Sequence, residues 1–283
     1  MPDLELTHHF LAANGRVLDL RRFERLFLGG DPAPVRDAVA AYRNADGGFG
    51  QALEPDGRTP HSQPAATEQA LRILDQADAW DDDLATGACD HLEATAPPEG
   101  GAGFVAANVE GWPHAPWWQP DESFSLISTG QILGTLLRRG VEHPWVETAV
   151  ELMWERIDAL EDPGAYDLYG TLRFLDHVAD RDLAQVALER AEPAIRSVVT
   201  LDPEATGEVH GPLGFAPVTD SIARPLFDAA TIAAHLDHLA ADQQDDGGWT
   251  FNFPAWSPAQ EADWRGSVTV DALDTLRRNE RPL

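Results

Sequence analysis

Lysine is absent from this chain of 283 residues, so all 20 basic side chains are arginines, set against 48 acidic ones for a net charge of -28. Nucleic acid and anionic membrane surfaces would be repelled by that field, and neither is expected as a general partner. Cysteine is nearly absent too. Cys89 stands alone, which excludes an intramolecular disulfide and a cysteine-rich zinc site and points to a reducing compartment. No stretch of 18 apolar residues occurs, and Met1-Pro2-Asp3-Leu4-Glu5 lacks the basic-then-apolar pattern of an export signal. A cytoplasmic protein without a membrane span is therefore expected. Period-two alternation of apolar and polar residues is also missing, which argues against a sheet.

What is present is helical periodicity. Apolar positions such as Ala66, Ala70, Leu71 and Leu74 recur at helical spacing, and the same reading gives helices over about 4–28 (broken at Asn14-Gly15), 32–43, 64–76, 81–95, 123–139, 144–160, 165–179, 182–199, 225–243 and 265–279. Asp31 is expected to cap the helix that Pro32 opens, and Asp81-Asp82-Asp83 marks a helix N-terminus rather than a site. No flexible linker divides the chain, so residues 1–283 are expected to form a single domain. Nine tryptophans, roughly two to three times average usage, concentrate near the loops.

One local pattern recurs. Gln243-Gln244-Asp245-Asp246-Gly247-Gly248-Trp249 precedes Thr269, Ala272 and Leu273, and Asp46-Gly47-Gly48-Phe49 precedes Thr67, Ala70 and Leu71. A weaker copy runs from Glu99 to Gly103-Phe104, followed by Thr129. The glycines permit a sharp turn, the aspartate caps a helix end, the aromatic packs beneath, and the threonine caps the next helix. This repeat resembles that of squalene cyclases, other terpenoid cyclases and protein prenyltransferase beta subunits. The resemblance implies an all-α fold, a single (α/α)6-type barrel of helical hairpins with long loops at one end. Periodicity alone yields ten or eleven helices where six hairpins need twelve, so a short or broken inner helix is expected near 218–228.

The resemblance also implies chemistry on a small hydrophobic, isoprenoid-like substrate. Cyclases that start by protonation need a strong acid and aromatic faces that stabilise a carbocation. Trp117, Trp118, Phe215, Trp256 and Trp264 are candidates for the aromatic lining, with His61 and His114 beside them. The cyclases' Asp-x-Asp-Asp-Thr motif has no counterpart before Thr67, Thr129 or Thr269. The acid is therefore sought first in Asp220 and Asp121, then in Glu122, with Glu54 and Asp56 behind them. Arg58, Arg224 and Arg265 occupy corresponding loops, where they either converge on an anion or pair with Asp56, Asp220 and Asp263. Cys89 and His91 lie two apart on a helix and face different ways, and no aspartate-rich helix face is evident, so neither metal nor cofactor is expected. Two other classes fit the same scaffold: a carbohydrate lyase or hydrolase with paired carboxylates and stacking tryptophans, and a non-catalytic binding module.

Overall fold

The computed structural model describes residues 1–283 and is all-α. Its helices are α1 (Leu4–Asn14), α2 (Val17–Phe27), α3 (Ala33–Ala40), α4 (Pro64–Gln76), α5 (Asp82–Ala94), α6 (Leu126–Arg139), α7 (Pro144–Asp158), α8 (Ala165–His177), α9 (Arg181–Val198), α10 (Pro212–Phe215), α11 (Ala229–Ala241) and α12 (Pro258–Arg278). Extended pairing is confined to isolated bridges, and no helix is long and apolar enough to cross a membrane. Two compact units divide the chain: Pro32–Ala191, and Met1–Asp31 together with Glu192–Leu283, the division falling within α9.

In the unit 32–191, alternate helices pack together, α4 on α6 and α6 on α8, while α5 packs on α7. That is the order of stacked helical hairpins. The α6–α8 contact is nearly backbone to backbone. A Cβ on Gly130 would stand 2.1 Å from the Gly170 carbonyl oxygen, and one on Gly134 would stand 2.5 Å from that of Arg173, so the two helices run parallel and only glycine fits at their crossing. Leu71, Leu74, Leu133, Leu136 and Phe174 fill the core beside them.

In the other unit α12 packs against α1, α2 and α11, with Phe10, Phe23, Trp249, Val270 and Leu273 at the centre. A buried ionic chain crosses this apolar core. Asp19 on α2 accepts from Arg16 at 2.8 Å and from Arg22 at 3.4 Å, and Arg22 reaches Asp271 on α12 at 2.5 Å.

The repeat turns show why their residues are what they are. Asp46 Oδ1 accepts the Gly48 N–H at 3.1 Å, and Asp246 Oδ1 accepts that of Gly248 at 3.1 Å. The repeat threonines accept the next amide: Thr67 that of Phe49 at 3.3 Å, Thr269 that of Trp249 at 2.8 Å. Gln243 Nε2 clasps the start of α1 to the turn, lying 2.9–3.0 Å from Asp3 O, Thr7 Oγ1 and Gly247 O, among which its two N–H groups are shared. Both aspartates thus belong to the scaffold.

Several boundaries differ from the sequence reading, among them α6, which begins at Leu126 rather than 123, and α11, which spans Ala229–Ala241 rather than 225–243. In the third copy Thr129 accepts from Ala102 at 2.9 Å, with Gly100 and Gly101 at φ 95° and 70°. Ala102 therefore holds the aromatic position, and the pattern at Gly103-Phe104 is a two-residue misregister. α3 begins at Ala33 with Pro32, not Asp31, at the cap. α12 begins at Pro258, seven residues before the expected 265, because Ser257 caps it by accepting the Gln260 N–H at 3.1 Å. The stretch 218–228, expected to hide a short inner helix, holds only a single 3-10 turn at Arg224–Leu226; the four-residue α10 lies before it.

His91 packs its ring against the turn at Gly48, where a Cβ would meet it at 2.5 Å, and its Nδ1 lies 3.5 Å from Asp46. Burial lowers its pKa below the ordinary 6.5, with Asp46 opposing the shift only in part. The folded state thus prefers the neutral ring. Stability from this residue is complete above pH 6.5 and falls as pH drops below that value toward the lowered folded pKa. Melting temperatures taken between pH 7 and 5 should fall with acidification, and less so in His91→Gln; an unchanged slope in the variant would contradict the assignment.

Candidate functional site

The site assembles in the unit 32–191, where the loop before α4 meets the loop before α6. Arg58 N–H donates to Pro113 O at 2.8 Å, and Ala115 N–H donates to Asp56 O at 2.8 Å, so 54–58 and 112–118 are laced together around the bridge Gly57–His114. Trp118, buried, lies directly on Gly57, where a Cβ would fall 1.9 Å from its ring. Below this, Gln63 takes the Ala106 N–H at 2.9 Å and bonds the Asn108 side chain. The chain enters through Gln51 and Ala52, both left-handed at φ 56° and 61°. For residues other than glycine that is strained backbone, of the kind that collects at functional sites.

The lacing buries two carboxylates, Glu54 and Asp56, each 7% exposed. Glu54 Oε2 accepts the Asp56 N–H at 2.7 Å, and Asp56 Oδ2 accepts the indole N–H of Trp117 at 2.8 Å. Trp117 is nonetheless 44% exposed and Trp112 43%. One edge of Trp117 is therefore fixed on a buried carboxylate while much of the ring is open to solvent. His61 meets Trp112 edge-on at 6.2 Å, His114 bonds Trp112 O at 2.8 Å, and Phe104 meets Trp118 at 6.5 Å.

The carboxylates ranked first from sequence are not part of this buried pair. Asp121 and Glu122 are exposed. The Ser123 hydroxyl and then its N–H lower the Asp121 pKa, the wrong direction for an acid that must hold its proton near neutrality. Asp220, in the other unit, is also exposed. Glu54 and Asp56 ranked last among the candidate acids in the sequence, because the pairing that buries them is with residues more than fifty positions away.

The remaining expected contacts fall in the unit of α1, α2, α11 and α12. Phe215 is buried, and Arg224 donates to Ala216 O at 3.3 Å and to Asn279 Oδ1 at 2.8 Å. Arg265 forks onto Asp246 with two bonds of 2.8 Å and lies 4.6 Å over the Phe10 ring, pairing with the turn rather than with Asp263. Together with Gln243, Gln244, Asp245, Thr250 and Glu261 it lines an open polar cleft of about 510 Å³. Trp264 joins Phe251 and Phe253 in a ring cluster, and Trp256 is half-buried.

Asp90, Glu93 and His143 bring ligand atoms within 4.8 Å of one another. His143 is occupied otherwise. Its Nδ1 accepts the Trp145 N–H at 3.1 Å as the cap of α7, which leaves the proton of the neutral ring on Nε2, 3.1 Å from Asp90. A metal on Nε2 would have to displace that proton. The Cys89 thiol is buried, which pushes its pKa up to about 12 and makes it a poor nucleophile.

No family model matches the sequence, and no curated protein does. A crystal structure of a protein from Actinoplanes is similar in fold, with a TM-score of 0.58 over 97% of this chain and 88% of that one at 15% identity.

Proposed function

We propose that the chain is an enzyme of acid–base catalysis whose working carboxyls are Glu54 and Asp56 and whose substrate is a hydroxylated ring, as in a carbohydrate hydrolase or lyase, stacked on Trp112 and Trp117. The observation that carries this reading is Trp117, which holds buried Asp56 through its N–H while its ring stays 44% exposed. Indole faces stack on the C–H faces of sugars, and a carboxyl pair at the N–H edge of Trp117 would supply the two proton transfers of glycoside cleavage: one gives a proton to the departing oxygen, the other takes one from the attacking water. The isoprenoid chemistry implied by the repeat is the second reading. It is favoured by the recurrence of one turn geometry at Gly47–Phe49 and Gly247–Trp249, and it uses the same carboxyls as proton donors.

Incubation of the purified protein with neutral and acidic oligosaccharides, and in parallel with linear isoprenoids and their diphosphates, separates the two. Turnover of a sugar, reduced roughly 10²- to 10⁴-fold by Glu54→Gln or Asp56→Asn, is the expected result. Turnover of an isoprenoid alone selects the second reading, and no product from any of them defeats both.

A further inference from the structure

Helices α4, α6 and α8 of the unit 32–191 carry polar residues that the carboxylate site does not use. Thr67 faces the repeat turn, since its Oγ1 accepts the Phe49 N–H at 3.3 Å. Gln69, two residues on, lies about 200° further round α4 and so on the opposite side, away from the turn. It is only 4% exposed, yet its Oε1 has no hydrogen-bond partner. On α6 the same step from Thr129, which bonds Ala102, leads to half-buried Gln131. On α8 the stem of Arg173 crosses α6 at Gly134, where a Cβ would meet its Cγ at 2.7 Å. α4 packs on α6 and α6 on α8, so Gln69, Gln131 and Arg173 lie on three successive packed helices.

Resting on the carbohydrate reading above, we propose that this set is a subsite for substrate hydroxyls, with Gln69 as its buried recognition residue. A buried amide with one end unmet is costly to the fold, and whichever way the amide is turned a hydroxyl satisfies it, since hydroxyls both donate and accept. An isoprenoid chain does neither. Gln69 lies six residues, about 9 Å of helix rise, beyond Gln63 at the cap of α4.

The test uses the full chain and its Gln69→Met variant, which keeps length and removes hydrogen bonding. Calorimetric titration with maltohexaose, cellohexaose and xylohexaose, alongside thermal melts, reads both halves. The variant should melt at the wild-type temperature or about 1–3 °C above it. Its affinity for the hexaose that wild type binds should fall about tenfold or more. A lowered melting temperature would mean that the amide is a structural bond and would overturn the inference, as would unchanged affinity. Failure of wild type to bind any of the three overturns this inference; only together with no turnover of the acidic oligosaccharides does it overturn the carbohydrate reading of the Glu54–Asp56 site as well.

Discussion

Gly47→Ala and Gly247→Ala each lower stability by roughly 3–5 kcal/mol, enough to depress the melting temperature by about 10 °C. Two costs add at these positions. Both residues have left-handed backbone, φ 88° and 92°, which a side chain disfavours by about 1 kcal/mol. Each also faces a neighbouring helix at close range: a Cβ would stand 2.3 Å from the Gly87 carbonyl oxygen on α5, or 2.5 Å from the Leu6 carbonyl on α1. Backbone cannot swing aside as a side-chain tip can. Gly111 has φ 84° and only open space within 4 Å of where a Cβ would stand, which isolates the first cost, so Gly111→Ala should lose only about 1 kcal/mol. Equal losses at Gly47 and Gly111 would mean that the turn-to-helix approach is not what the repeat glycines serve.

Arg22→Met is the second large effect, a loss of roughly 3–5 kcal/mol measured by denaturant unfolding. Arg22 is fully buried and bridges Asp19 on α2 to Asp271 on α12. Its removal leaves Asp19 with Arg16 and takes the guanidinium away from Asp271, and the cost comes from carboxylate charge left poorly compensated rather than from the bonds themselves. Arg22→Lys should rescue little, because a single ammonium cannot replace a planar fork that serves two carboxylates. The double variant Arg22→Met, Asp271→Asn should be more stable than Arg22→Met alone. If it is less stable, the two side chains are not coupled as described.

Much of the helical scaffold was legible in the residues. Asp81 announces α5 by capping Leu84, Pro64 opens α4, and the aspartate, glycine and threonine of the repeat turn take the structural parts that their chemistry suggests. The misreadings have local causes. Gly103-Phe104 imitates the repeat although Ala102 occupies the packed position, and Ser257-Pro258 is a helix start hidden among aromatic residues. The candidate site was less legible. Exposure decides between a solvated loop charge and a working carboxyl, and the burial of Glu54 and Asp56 depends on strand-like lacing between two irregular loops that leaves no periodic trace. Gln69 was invisible for another reason: an amide on an amphipathic helix reveals its missing partner only in three dimensions.

The central claim is that the buried pair at the N–H edge of Trp117, and not the exposed loop carboxylates, does the chemistry. Its most direct test is kcat/KM for Asp56→Asn set against Asp121→Asn and Asp220→Asn on whichever substrate the wild type turns over. The account predicts a loss of roughly 10²- to 10⁴-fold for the first and changes within about twofold for the other two. Full activity in Asp56→Asn, with loss in Asp121→Asn or Asp220→Asn, would contradict it.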